Sequence, residues 1–310
     1  MPGFVAGIER HQVAVYLGAL AAGAVAGWAA PGAGPVLEHA INPVLAVLLY
    51  VTFLQVPVAE LGRSLRAGRF LAAALVVNFV VVPLVVAALF TFLPDDQAVR
   101  LGVLLVLLTP CVDYVIVFSG LAGGDSRRLL AATPLLLLAQ MVLLPGYLWL
   151  FLGSGLAVVD PGPFVEAFVV LIVIPLALAW LTQARAGRMI GAISTTMVPL
   201  MAATLFAVVA SQVPKLGGDL TQVARVAPFY VLFLVVMAFA GLLVARVFRL
   251  DVAAGRAIVF TGATRNSLVV LPLALALPGD VAAVVVVTQT LVEVAGMVVY
   301  VRVVPRLLLS

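Results

Sequence analysis

Apolar runs, each close to the length a helix needs to cross a bilayer, follow one another along this chain with only short connections between them. About 20 consecutive apolar residues span the hydrocarbon core as a helix, and such segments fall near 12–30, 38–58, 70–93, 101–122, 129–153, 163–183, 189–212, 223–246, 254–277 and 280–302. Hydrophobic residues make up 65% of the 310 and charged residues only 10%, a balance that excludes a soluble domain. The connections carry turn chemistry: Pro31-Gly32, Pro94-Asp95-Asp96, Asp160-Pro161-Gly162, Gly217-Gly218-Asp219 and Pro278-Gly279-Asp280. The expected fold class is all-α integral membrane, ten transmembrane helices in a single domain over 1–310. The first run is longer than the apolar core of a signal peptide and is taken as a helix.

Charge and composition remove several functions. The net charge of +4 is scattered in ones and twos between apolar runs, with no basic stripe for nucleic acid. One cysteine excludes a multi-cysteine metal cluster, and His11 and His39 are too far apart in sequence to form a ligand pair. The only lysine, Lys215, follows Pro214, so there is no Walker-type ATP site. No cofactor or metal is expected, and with both histidines at span ends and none in a span interior there is no candidate for enzyme chemistry. The partners left are a small solute or ion and the lipid bilayer, with oligomeric state open.

Orientation follows from the arginines. Arg10, Arg63, Arg66, Arg69, Arg127, Arg128, Arg185, Arg188, Arg246, Arg249, Arg256, Arg302 and Arg306 fall on one side, against Arg100, Lys215 and Arg225 on the other. Short cytoplasmic loops carry the basic excess, so both termini are expected to be cytoplasmic, in the plasma (inner) membrane. Five spans per half make the second half inverted relative to the first, over 12–153 and 163–304. Pro43 and Gln55-Val56-Pro57 pair with Pro199 and Gln212-Val213-Pro214, Gln140 with Gln289, and Cys111 with Gly262, each about 150 residues apart.

Two segments break the apolar pattern. Around Thr109-Pro110-Cys111-Val112-Asp113-Tyr114 a carboxylate and a thiol lie mid-span, beside a proline that leaves the carbonyl of Val106 without its helical donor. In Thr261-Gly262-Ala263-Thr264-Arg265-Asn266-Ser267 four successive polar residues, Thr264 to Ser267, cannot share one helical face. Arg265 is the one basic residue expected to be buried in the interior of a span, and its permanent charge calls for an anion, whether carboxylate or solute. Asp113 and Glu293 are the clearest mid-span acids. Cys111 and Asp113 stand about 200° apart on a regular helix and serve one site only if the helix is unwound at Pro110. Each residue has a plainer reading. Cys111 can be a small buried hydrophobe, Asp113 and Arg265 a structural ion pair, Glu293 a packing partner, and Asn78, Gln140 and Gln289 interhelical hydrogen bonders.

In this form the chain resembles the superfamily of bile acid:sodium symporters and arsenite-efflux permeases, closer to the arsenical-resistance branch. Thr109-Pro110-Cys111, Ser119-Gly120-Leu121 and Gly124-Asp125 are similar to the permeases' fourth-helix motif, and Leu291-Val292-Glu293-Val294 to their last helix. Thr261-Gly262-Ala263 and Asn266-Ser267 resemble the ninth-helix segment, and Asn78, five residues before Pro83, an amide of the symporters' sodium site. The resemblance implies core and panel domains, with helices four and nine broken and crossing and the solute beside the crossing. It implies a substrate site of Cys111, Asp113, Tyr114, Thr264, Arg265, Asn266 and Ser267. Asn78, Thr261, Gln140, Gln289 and Glu293 would be coupling or structural polar residues. The symporters' Ser-Asn pair is replaced by Val115-Ile116, their ninth-helix glutamate by Thr261 and a neighbouring amide by Arg265, a fixed cation hostile to sodium. The permeases' helix-nine carboxylate is replaced by Leu268.

The expectation is therefore a secondary transporter exporting arsenite or a similar small oxyanion in exchange for protons. Cys111 would contact the solute, and anion binding at Arg265 would release Asp113 to take a proton. The alternative is sodium-coupled uptake of an organic anion with Arg265 on its carboxylate.

Overall fold

The computed structural model describes residues 11–54, 68–112, 114–153, 162, 166, 169–185, 196–216 and 220–308. Asp113, Arg10, Arg63, Arg66, Arg188, the Gln55-Val56-Pro57 repeat and the Gly217-Gly218-Asp219 turn lie outside the described residues.

Helices fill the apolar segments, and no strand occurs among the described residues. They are α1 (Gln12–Ala29), α2 (Gly34–Leu54), α3 (Gly68–Phe90), α4 (Gln97–Leu107), α5 (Tyr114–Leu121), α6 (Ser126–Leu152), α7 (Ile174–Arg185), α8 (Met197–Leu216), α9 (Leu220–Val247), α10 (Val252–Ala263), α11 (Ser267–Leu275) and α12 (Val281–Leu307). Five of the described helices are long and apolar enough to cross a membrane, or six if the bent pair Ala14–Ala29 and Pro31–Ile41 counts as one span. The chain is multi-pass. The second segment starts as helix at Gly34, earlier than the sequence expectation of 38, because Pro31-Gly32-Ala33 makes a 3-10 turn that leads directly into α2.

Backbones approach closely where α1 meets α8. A Cβ built on Gly23 would lie 2.8 Å from the carbonyl oxygen of Phe206, and one on Gly27 only 2.6 Å from that of Ala210. Two glycines one turn apart allow the contact that packing in lipid depends on. The Ala210 carbonyl is the one Pro214 leaves without a helical donor.

Prolines elsewhere free carbonyls in the same way, and side chains take them up. Pro83 cannot bond the Phe79 carbonyl, and the Tyr147 hydroxyl of α6 donates to it at 2.6 Å. Just before Pro83, Val77–Val81 form a π-turn that carries buried Asn78. Pro110 frees the Val106 carbonyl, as the sequence implied, and the Thr109 hydroxyl donates there at 3.1 Å.

α4 and α5 are two pieces of one interrupted helix, as are α10 and α11. Their non-helical joints pair antiparallel at Pro110 and Arg265. The Cys111 amide donates to the Thr264 carbonyl (3.3 Å), and the Asn266 amide donates to the Thr109 carbonyl (2.9 Å). Both segments read from sequence as irregular are thus irregular, and they cross each other. α12 runs alongside the crossing.

Candidate functional site

The crossing is buried and polar. Thr109, Cys111, Tyr114, Thr264, Arg265, Asn266 and Ser267 are all buried. Unpaired backbone at this depth is tolerated only inside protein or against a cavity, and each joint supplies donors to the other. Helix ends complete the arrangement. Asn266 caps α11 through its Oδ1, which accepts from the Val269 amide at 3.3 Å, and the Thr264 hydroxyl donates back to the Phe260 carbonyl at 2.8 Å.

Arg265, with 0% of its surface exposed, sends its backbone and its side chain to different helices. Its amide donates to Glu293 Oε2 on α12 at 2.8 Å. Its guanidinium turns towards α3 and the ends of α4 and α10. There Nη2 donates to Asn78 Oδ1 (2.8 Å), the Thr261 carbonyl (2.7 Å) and the Gly262 carbonyl (2.8 Å), and Nη1 donates to the Leu107 carbonyl (3.3 Å). Asn78 in turn donates to the Thr261 hydroxyl at 3.2 Å. The Phe233 ring of α9 lies 5.7 Å from the guanidinium carbon. The sequence called for an anion here. Among the described residues the guanidinium contacts neutral oxygens, and the described carboxylate at the crossing, Glu293, meets the arginine's backbone.

Glu293 is 1% exposed and accepts from three groups. The Tyr114 hydroxyl donates to its Oε1 at 2.6 Å and lies 3.1 Å from the Arg265 carbonyl. The Arg265 amide and Gln289 Nε2 both donate to its Oε2. Ser267 is tied to the same helix by the Thr290 hydroxyl, which donates to Ser267 Oγ at 2.8 Å.

Of the residues singled out from sequence, Cys111, Tyr114, Thr261, Thr264, Arg265, Asn266, Ser267, Asn78, Gln289 and Glu293 come together at or beside the crossing. Gln140 is buried on α6, and no described hydrogen bond joins it to the crossing. Sequence reasoning missed Phe233 and Thr290. An aromatic in an apolar run carries no local signal, whereas Thr290, three residues before Glu293, was open to a helical-face argument.

Two interrupted helices meeting at a buried polar cluster in a multi-pass helical protein are an arrangement found in membrane transporters. The family model described as Sodium Bile acid symporter family matches residues 42–220, more than half of the chain, and the chain belongs to that family. No curated protein matches it. The matched stretch includes Asn78 and the α4–α5 joint and ends before Arg265 and Glu293, so the second half of the site stands on geometry alone.

Proposed function

We propose that this chain is a secondary active transporter of ten spans in two inverted five-helix repeats. It would carry a small anionic or hydroxylated solute past the crossing and couple that movement to protons. The reading rests above all on Glu293, a buried carboxylate held by donors from two elements. Tyr114 and the Arg265 amide belong to the crossing, and Gln289 belongs to α12 with Glu293 itself. Motion that parts α12 from the crossing would take donors away from this carboxylate, and a difference in its surroundings between two states is the physical requirement for coupling. Asp113, next to Tyr114, is a second candidate for the same task.

The solute side of the proposal draws on different groups. The N-termini of α5 and α11 face the crossing with partial positive charge, suited to an anion or a hydroxyl ligand. Asn266 Nδ2 is buried without a hydrogen-bond partner among the described residues, a spare donor one residue from Arg265. Cys111, on the first joint, would give affinity for a thiophilic solute such as arsenite, with export as the direction.

The second reading, sodium-coupled uptake of an organic anion, is favoured by the family match. Proteoliposomes separate the two. Transport driven by a pH gradient in sodium-free buffer is expected, with Glu293→Gln losing that drive by tenfold or more while still folding. A strict need for a sodium gradient, with the variant as active as the parent, would overturn proton coupling. A panel of metalloids and organic anions, offered to cells stripped of their own exporters, identifies the solute.

A further inference from the structure

The two oxygens of Glu293 face different kinds of group. Oε2 accepts from the Arg265 amide and from Gln289 Nε2, N–H groups that can only donate. Oε1 accepts from the Tyr114 hydroxyl at 2.6 Å. That hydroxyl has one hydrogen and also reaches the Arg265 carbonyl, at 3.1 Å. The carbonyl stands just outside the first turn of α11, whose nearby amides are engaged. The Val269 amide donates to Asn266 Oδ1 and the Val270 amide to the Asn266 carbonyl. Buried Tyr114, at the start of α5, thus sits between a carboxyl of α12 and a carbonyl of the α10–α11 joint, with a hydrogen for only one of them. Among the described residues, the other titratable groups near Glu293 are Arg265 and Tyr300, with Cys111 close to Arg265. Tyr300 donates to the Leu234 carbonyl of α9, and Tyr230 of α9 to the Val285 carbonyl. Arg100 of α4 pairs with Asp95, and Arg256 of α10 donates to the carbonyls of Ala122, Pro305 and Leu308.

We propose that Tyr114 is a positioning residue that reads the proton on Glu293: its hydrogen points to Glu293 when that group is ionised and to the Arg265 carbonyl when it is protonated. The inference rests on the proposed proton coupling at Glu293 and adds how the proton is felt at the crossing. A carboxylate only accepts, and a hydrogen bond to a charged oxygen is stronger than one to a neutral carbonyl. The ionised form therefore draws the tyrosine hydrogen to Oε1. An incoming proton binds Oε1, since Oε2 already faces two N–H groups. The new Oε1–H and the tyrosine O–H cannot both point into a gap of 2.6 Å. The carboxylic acid then donates to the tyrosine oxygen, and the tyrosine hydrogen turns to the Arg265 carbonyl. Glu293 has gained one proton and Tyr114 has kept its own. The protonated form ties α5 both to α12 and to the α10–α11 joint, so the proton fastens the two interrupted helices together and its loss loosens them.

The test is infrared difference spectroscopy, acid minus alkaline, on the purified full chain in lipid bilayers, with an isotope label on the tyrosine rings to mark their C–O vibration. The parent should show a carboxylic acid band in acid that is absent from Glu293→Gln. A tyrosine band should shift with it, and that shift should be absent from both Tyr114→Phe and Glu293→Gln. In Tyr114→Phe the carboxylic acid band should remain and move to higher frequency, because the acid has lost the oxygen to which it donates. Where Tyr114→Phe does not fold, the parent and Glu293→Gln decide alone: a tyrosine shift that vanishes with the carboxyl group supports the switch. A carboxylic acid band with unchanged tyrosine bands overturns the switch and leaves the proton on Glu293. That result is expected if the Gln289 amide turns round to accept from a proton on Oε2. No carboxylic acid band from Glu293 at any pH overturns the proposed coupling and the switch with it.

Discussion

Burying a charged group costs several kcal/mol unless its donors find acceptors. Arg265 meets that condition at its two terminal nitrogens, with groups its neighbours leave spare: helix-end carbonyls and one amide oxygen on a π-turn; its Nε is buried without a hydrogen-bond partner among the described residues. The need for a partner was legible in the sequence. The share taken by the backbone was not, because a carbonyl of the main chain has no residue type to announce it. At Cys111 the backbone amide belongs to the crossing through the Thr264 carbonyl, and the proposed solute role falls to the thiol. Cys111→Ser is expected to lose arsenite resistance in an expressing cell by tenfold or more with unchanged protein level. Full resistance in that variant would reduce the cysteine to packing.

At the scale of elements, the helices start and stop for reasons visible along the chain. Asp96, Asp125 and Asp251 each cap the helix that follows, accepting from amides two or three residues on. Asp251 also joins two elements, since Arg128 of α6 donates to its Oδ2 at 2.8 Å. The Ala254 amide first, and then Arg128, hold the Asp251 carboxyl below the usual aspartate range. A carboxylate favoured in this way adds stability above its unfolded pKa, about 3.9, and that stability is lost as pH falls through the lower folded value. The melting midpoint of the parent should therefore drop in acid more than that of Asp251→Asn. Identical pH profiles would leave the Arg128–Asp251 link without weight. The interruptions at Pro110 and at Thr264–Ser267 were legible because proline and consecutive polar residues violate helical pattern locally. The π-turn at Asn78 was not, since Val77–Val81 reads as ordinary helix and its geometry answers to Pro83 and Tyr147 together.

For the molecule as a whole, the arginine asymmetry carries an expectation about orientation. In a Cys111→Ala background, Asp280→Cys should react with a membrane-impermeant thiol reagent on intact cells. Arg246→Cys should react only after permeabilisation, since both native side chains are exposed at opposite ends of their helices' membrane crossings. The reverse pattern would invert the topology. Hydrophobic run length, proline positions and charge bias are properties of neighbouring residues, so the sequence by itself determined an all-helical, multi-pass membrane protein and the two places where its helices break. Which groups meet at those breaks was decided only by tertiary packing. The Arg265 amide finds Glu293 across 28 residues, and the guanidinium finds Leu107 across 158 and Asn78 across 187. Contacts over such separations depend on how whole helices tilt and cross, a relation that no local pattern of residues encodes.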